Sequence, residues 1–197
     1  MRLVRLAIGA FCALAMVLTM AACNRKSAED YVKESYALRA ANDVAGAERV
    51  LQEGLHALPG NDRLIGALLL LYRQSNQWDK LEAYVSIVSS NNVADMASAY
   101  ENLGEHYFDE KDWAKASKYY TQGADTWAEV GTCGALLGED YRNVAAANSN
   151  MRNKSGVILA LNSLEALAAR CQSKSGPATM QAIQSDIQEV RNIVLKL

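Results

Sequence analysis

Apolar and aromatic residues return along this chain at a spacing of 34 or 35 positions. Tyr31, Ile65 and Tyr100 form one such series, and Leu38, Tyr72 and Tyr107 a second. Val44, Trp78 and Trp113 form a third, followed by Ala47, Leu81 and Ala116, and by Leu51, Val85 and Tyr120. Each series is interrupted by the same kind of short polar break: Ala41-Asn42-Asp43, Ser75-Asn76-Gln77 or Glu110-Lys111-Asp112. Two helical periods on either side of a tight turn, repeated at this length, predict stacked helix pairs. Three units are expected, at 28–61, 62–96 and 97–130. Ser27, with Asp30 three residues on, reads as the N-cap of the first helix.

A fourth, distorted unit follows. Gly134-Ala135-Leu136-Leu137-Gly138 with Tyr141 has the pattern of a first helix, and Val157 to Arg170 that of an apolar second one. Residues 145–154 are expected to lengthen the connection between them, as end units are often atypical. The repeats then fill 28–172. Gly176-Pro177 stops and restarts the chain, with proline in the first turn of a new helix over 177–197. Met180, Ile183, Ile187, Val190 and Val194 place one apolar stripe along it. That stripe suits a helix lying on the open end of the stack. The alternative is a coiled-coil handle for dimerisation, for which it is short.

These units resemble the tetratricopeptide repeat (TPR). The third carries Tyr100, Leu103-Gly104, Tyr107, Ala116 and Tyr120 at the family's signature positions, and the first carries Tyr31, Leu38, Ala47, Leu51 and the closing Pro59. Departures stand at Glu34 and Leu81, where leucine and alanine are usual, and at Leu69 in place of glycine, so the second pair is expected to be splayed or offset. The resemblance implies an all-α fold, a right-handed superhelix of antiparallel helix pairs with a C-terminal capping helix. An unrelated helical bundle is the alternative.

In the family, the first helix of each pair lines a concave groove. Carried over by position, the groove would take Val32, Tyr36 and Arg39 from the first unit and Arg63, Leu70 and Arg73 from the second. The third would supply Glu101, Glu105 and Phe108, and the fourth Glu139 and Arg142. A groove basic at one end, acidic at the other and dotted with apolar anchors suits peptide binding. The alternative is that these residues are simply the polar faces of exposed helices. The family's carboxylate clamp needs lysine and asparagine where Val32 and Tyr36 stand, so that activity is not implied.

The chain opens differently. Met1 to Arg5 is a short basic leader, Leu6 to Met20 carries no charge, and small residues precede Cys23. This is a secretory signal pattern, and its apolar run is marginal for a bilayer span of roughly 20 residues. Met20-Ala21-Ala22-Cys23 resembles the lipobox of bacterial lipoproteins, although leucine is commoner than Met20. That resemblance implies cleavage of residues 1–22, lipid on Cys23 and a short tether over 23–27. The alternative is an uncleaved anchor helix. Asn24 is not the aspartate that retains such proteins in the inner membrane, so the expected location is the outer membrane, on its periplasmic side.

Charge changes the picture little. The chain has 20 Lys and Arg against 22 Asp and Glu; without residues 1–22 it loses Arg2 and Arg5 and no acid, leaving 18 against 22. A net −4 gives no basic stripe for nucleic acid. The mature chain keeps Cys133 and Cys171, which stand at the start of one predicted helix and just past the end of its partner. A disulfide is expected in an oxidising compartment; two buried thiols are the alternative, and neither cysteine has a second metal ligand at useful spacing. His56 and His106 sit on different predicted helices, outside any H-E-x-x-H pattern, as surface or boundary residues. No P-loop, dinucleotide fingerprint or nucleophile elbow occurs. The expectation is a lipid-anchored scaffold without cofactor, metal, small-molecule substrate or catalysis. In plan it resembles the pilotins of pilus and secretion systems, and an adaptor of peptidoglycan or exopolysaccharide enzymes is the other reading.

Overall fold

The computed structural model describes residues 26–197, so Cys23, the signal segment and most of the tether lie outside the described residues. Among the described residues there are nine helices and no strand. They are α1 (Ala28–Ala40), α2 (Val44–Ala57), α3 (Asp62–Gln74), α4 (Trp78–Val85), α5 (Val93–Asp109), α6 (Trp113–Glu129), α7 (Ala135–Asn150), α8 (Lys154–Cys171) and α9 (Pro177–Lys196).

The polar breaks act as turn-and-cap devices. Asn42, with φ 64°, takes the left-handed backbone conformation that ends α1. Asp43 then caps α2 at once, accepting from the Gly46 N–H at 2.8 Å. Asn76, Lys111 and Arg152 repeat the left-handed step at φ 54°, 62° and 55°. Asp112 and Asn153 repeat the cap, accepting from the Lys115 and Gly156 N–H groups at 3.1 and 3.2 Å. Gln77 makes no such bond, and the helix it introduces is only 8 residues long. At the start of the stack, the Ser27 and Asp30 side chains each accept from the other's backbone N–H, at 3.2 and 2.8 Å, closing the expected capping box.

Two expected boundaries change. Val144, Ala145, Ala147 and Asn148 are buried at helical spacing, and this packing keeps α7 helical through Asn150. The long connection over 145–154 is therefore absent, and the turn into α8 is as tight as the others. α5 begins at Val93, inside the unit expected to end at 96. The departures at Leu69 and Leu81 are both buried in the core. The second pair differs in length instead, because α4 stops at Val85. Asp62 orders the segment that follows, accepting from Ser90 Oγ at 2.8 Å and from the Asn91 N–H at 2.9 Å.

The fold is an all-α, TPR-like stack. Each helix packs against its pair mate, and α2, α4 and α6 pack in turn on α3, α5 and α7. One apolar core runs through the stack from Val32 to Val190. Small residues permit the close approach: a Cβ on Gly104 would stand 2.7 Å from the Tyr120 ring. Polar clips join consecutive pairs. Glu48 of α2 accepts from the Tyr72 hydroxyl of α3 at 3.0 Å and meets Lys80 Nζ of α4 at 2.6 Å. At the next junction Glu82, Tyr107 and Lys115 form the same set. At the third, Asn148 donates to Ser117 Oγ at 2.8 Å instead. Finally, α9 lies against both α7 and α8 with Ile183, Ile187 and Val190 buried. Its stripe is spent on capping the stack.

Candidate functional site

The first helices of the pairs form a row in which α1 meets α3 and α3 meets α5. The polar residues expected on this row occupy it unevenly. Arg63 pairs with Glu29 at 3.2 Å, and Glu29 is also held by Lys33 at 2.9 Å. Tyr36 is 43% exposed, with the Arg39 guanidinium 6.0 Å from its ring centre. Arg39 donates to Gln74 of α3. Between α3 and α5 lies a small pocket of about 60 Å³, in which Leu70 and Arg73 face Asp95 and Asn102. Arg73 donates to Asn102 Oδ1 at 3.3 Å.

Three expected groove residues serve the fold instead. Val32 is buried, because it lies on the α1 face that meets the core. Phe108 is half-buried and packs edge-on against Trp113, with ring centres 4.9 Å apart. Arg142 turns toward the capping helix, reaching Asp186 at 3.2 Å and Glu189 at 3.7 Å, while its other contact is Glu139 at 3.2 Å.

Further along the row a larger space opens. A cavity of about 210 Å³ lies among α5, α6 and α7. It brings together three of the expected residues, Glu101, Glu105 and Glu139, with Asn102, Tyr120, Leu136, Asp140 and Asn143. Glu101 Oε1 accepts from Trp127 Nε1 at 2.7 Å, which fixes that carboxylate at the α6 wall. Asp140 is only 3% exposed, and its buried Oδ2 has no hydrogen-bond partner among the described residues. Burial, and then the charges of Glu101 and Glu139, push its carboxyl up to about 8.

Asp140 escaped sequence reasoning because the family's groove positions do not include it. One signal was present: it stands on the apolar side of α7 between Leu137 and Val144, at the spacing of a core-facing residue. A carboxylate there breaks the amphipathic pattern.

At the far end of the fourth pair, the sulfur atoms of Cys133 and Cys171 are 2.06 Å apart and their Cα atoms 5.4 Å apart, the geometry of a disulfide. Cys133 precedes α7 and Cys171 ends α8, so the bond ties the two open ends of one helix pair. Ser175 Oγ donates to the Cys133 carbonyl at 3.0 Å beside it. Of the histidines, His56 is exposed, and His106 stacks on Trp78 with centres 4.5 Å apart.

No protein-family model and no curated protein matches the sequence. Among solved structures, the chain is similar to a Podosopora anserina putative kinesin light chain with nearly identical TPR-like repeats. The identity is 15% over 85% of this chain and 95% of that one, with a TM-score of 0.44.

Proposed function

We propose that this protein is a lipid-anchored scaffold that holds a protein partner along the row of α1, α3, α5 and α7 at the inner face of a bacterial outer membrane. The observation that carries the reading is the pair of unfilled hollows between successive first helices. Leu70, Arg73, Glu101, Glu105 and Glu139 line these spaces. Polar groups around small apolar spots give register and selectivity to a bound protein segment. Its role there is to assist assembly of an outer-membrane pilus or secretion complex, with no chemistry of its own.

The anchor and the groove are tested separately. Cys23→Ala removes the lipid acceptor, so the protein should leave the membrane fraction without detergent; unchanged retention would sink the anchor. Arg39→Glu combined with Arg73→Glu reverses charge at one end of the row. The full-length double variant should keep its helical circular dichroism and capture less of a crosslinked envelope partner than wild type. Equal capture would mean that the row is idle.

A further inference from the structure

We propose that the cavity among α5, α6 and α7 is a receptor for one arginine side chain presented by the partner that the row of first helices holds. The inference rests on the scaffold reading and specifies the partner's chemistry. Four carboxyl groups, of Glu101, Glu105, Glu139 and Asp140, line the cavity beside two amides, and among the described residues no basic one does. The nearest base, Arg142, pairs with Glu139 at 3.2 Å and otherwise reaches to Asp186 and Glu189 on α9, so among the described residues Glu101, Glu105 and Asp140 have no cationic partner. Asp140 adds an independent observation: it is buried, and its Oδ2 has no hydrogen-bond partner among the described residues. Native folds rarely leave such an atom without a donor.

The shape of the site favours a guanidinium over a metal ion. The acids line a space instead of converging: among the described residues, no three His, Cys, Asp or Glu side chains are placed to share a metal. A planar fork with five N–H donors reaches separated carboxylates, as a point charge does not. Leu136, exposed at the cavity, and the Tyr120 ring offer apolar surface to the methylene stem.

Isothermal titration calorimetry on the full chain in detergent tests this with blocked peptides of sequence Gly-Ser-Gly-X-Gly-Ser. With X as arginine, the dissociation constant should be at least about ten-fold lower than with its neutral isostere citrulline, a gap of about 1.4 kcal/mol. Lysine should fall between them. Measured at pH 9, where the Asp140 carboxyl is ionised, Asp140→Asn should erase the arginine preference, and Glu105→Gln, at an exposed position, should reduce it in a protein whose core is untouched. Equal affinity for arginine and citrulline, binding of neither at millimolar concentration, or a preference surviving both variants would overturn the proposal. Partner capture that fails on Arg39 and Arg73 reversal, yet is indifferent to Asp140→Asn, would leave the scaffold standing and remove the arginine pocket alone.

Discussion

The carboxylate of Glu82 on α4 accepts a hydrogen bond from the hydroxyl of Tyr107 on α5, and a second from Tyr119 on α6. Lys115 Nζ completes the cluster, 3.2 Å from Glu82 and 3.0 Å from the Tyr107 hydroxyl. One group thus fastens three helices of consecutive pairs. Burial opposes its charge, but the hydrogen bonds from Tyr107, Tyr119 and Lys115, with the Lys115 charge, hold its carboxyl down at about 2. Because this value lies below the ordinary 4.5, the clip stabilises fully above about pH 5 and fades as pH falls toward 2. Glu82→Gln should lower the unfolding free energy by about 1–3 kcal/mol at pH 7. Urea titrations should find the gap to wild type closing with acidification; a gap independent of pH would mean the charge contributes nothing.

Asp140 behaves in the opposite sense. Its carboxyl is raised from 3.8 to about 8, so the native state binds a proton that the unfolded chain has released, and stability falls as pH rises between these values. Glu101 and Glu105 on α5 and Glu139 on α7 face it, Glu139 being paired with Arg142 at 3.2 Å, and among the described residues no base lines the cavity. Asp140→Asn should therefore be more stable than wild type, by a margin that grows by at most about 1.4 kcal/mol per pH unit through this window. Denaturant midpoints at pH 5, 7 and 9 measure it. A margin that shrinks with rising pH would refute the assignment.

The Cys133–Cys171 bond spans 38 positions and joins the ends of α7 and α8. Replacing both residues by alanine should cost about 4 kcal/mol in the chain-entropy description of a loop this long. Thermal unfolding with and without reductant offers a second route, since reduction should lower the wild-type midpoint and leave the double variant where it was.

Gln77 stands where Asp43 and Asp112 cap the corresponding helices, yet it makes no cap hydrogen bond, and its buried Oε1 has no partner among the described residues. Gln77→Asp should supply the missing acceptor at the start of α4 and raise stability by about 1 kcal/mol. Equilibrium denaturation reads the change directly. Loss of stability would mean that the glutamine stem contributes packing that the shorter side chain gives up.

Some of this architecture is legible without coordinates. The helix pairs follow from Tyr31, Ile65, Tyr100 and their companion series, because each pair must bury its stripe against the next. Ser27 and Asp30 announce the first helix, and the stripe from Met180 to Val194 announces the cap. The polar clips were legible too: Glu48 and Glu82 stand 34 residues apart, and Tyr72 and Tyr107 stand 35 apart, as do Lys80 and Lys115. Periodicity analysis of apolar residues alone passes over them. The length of α7 was hidden because residues 145–154 read as a connection, whereas packing against α6, with Asn148 bonded to Ser117, keeps the chain helical through Asn150.

The sequence by itself determined the period, the pairing of helices and their caps, since these depend on contacts within a helix or between chain neighbours. Only the tertiary structure decided which polar side chains were left facing space. Phe108 and Arg142 were drawn into packing and ion pairs with Trp113 and α9, whereas Asp140 was enclosed among carboxylates from α5 and its own helix. A side chain's burial and electrostatic surroundings are set by all the elements around it, and the spacing of residues along one helix records only its own face.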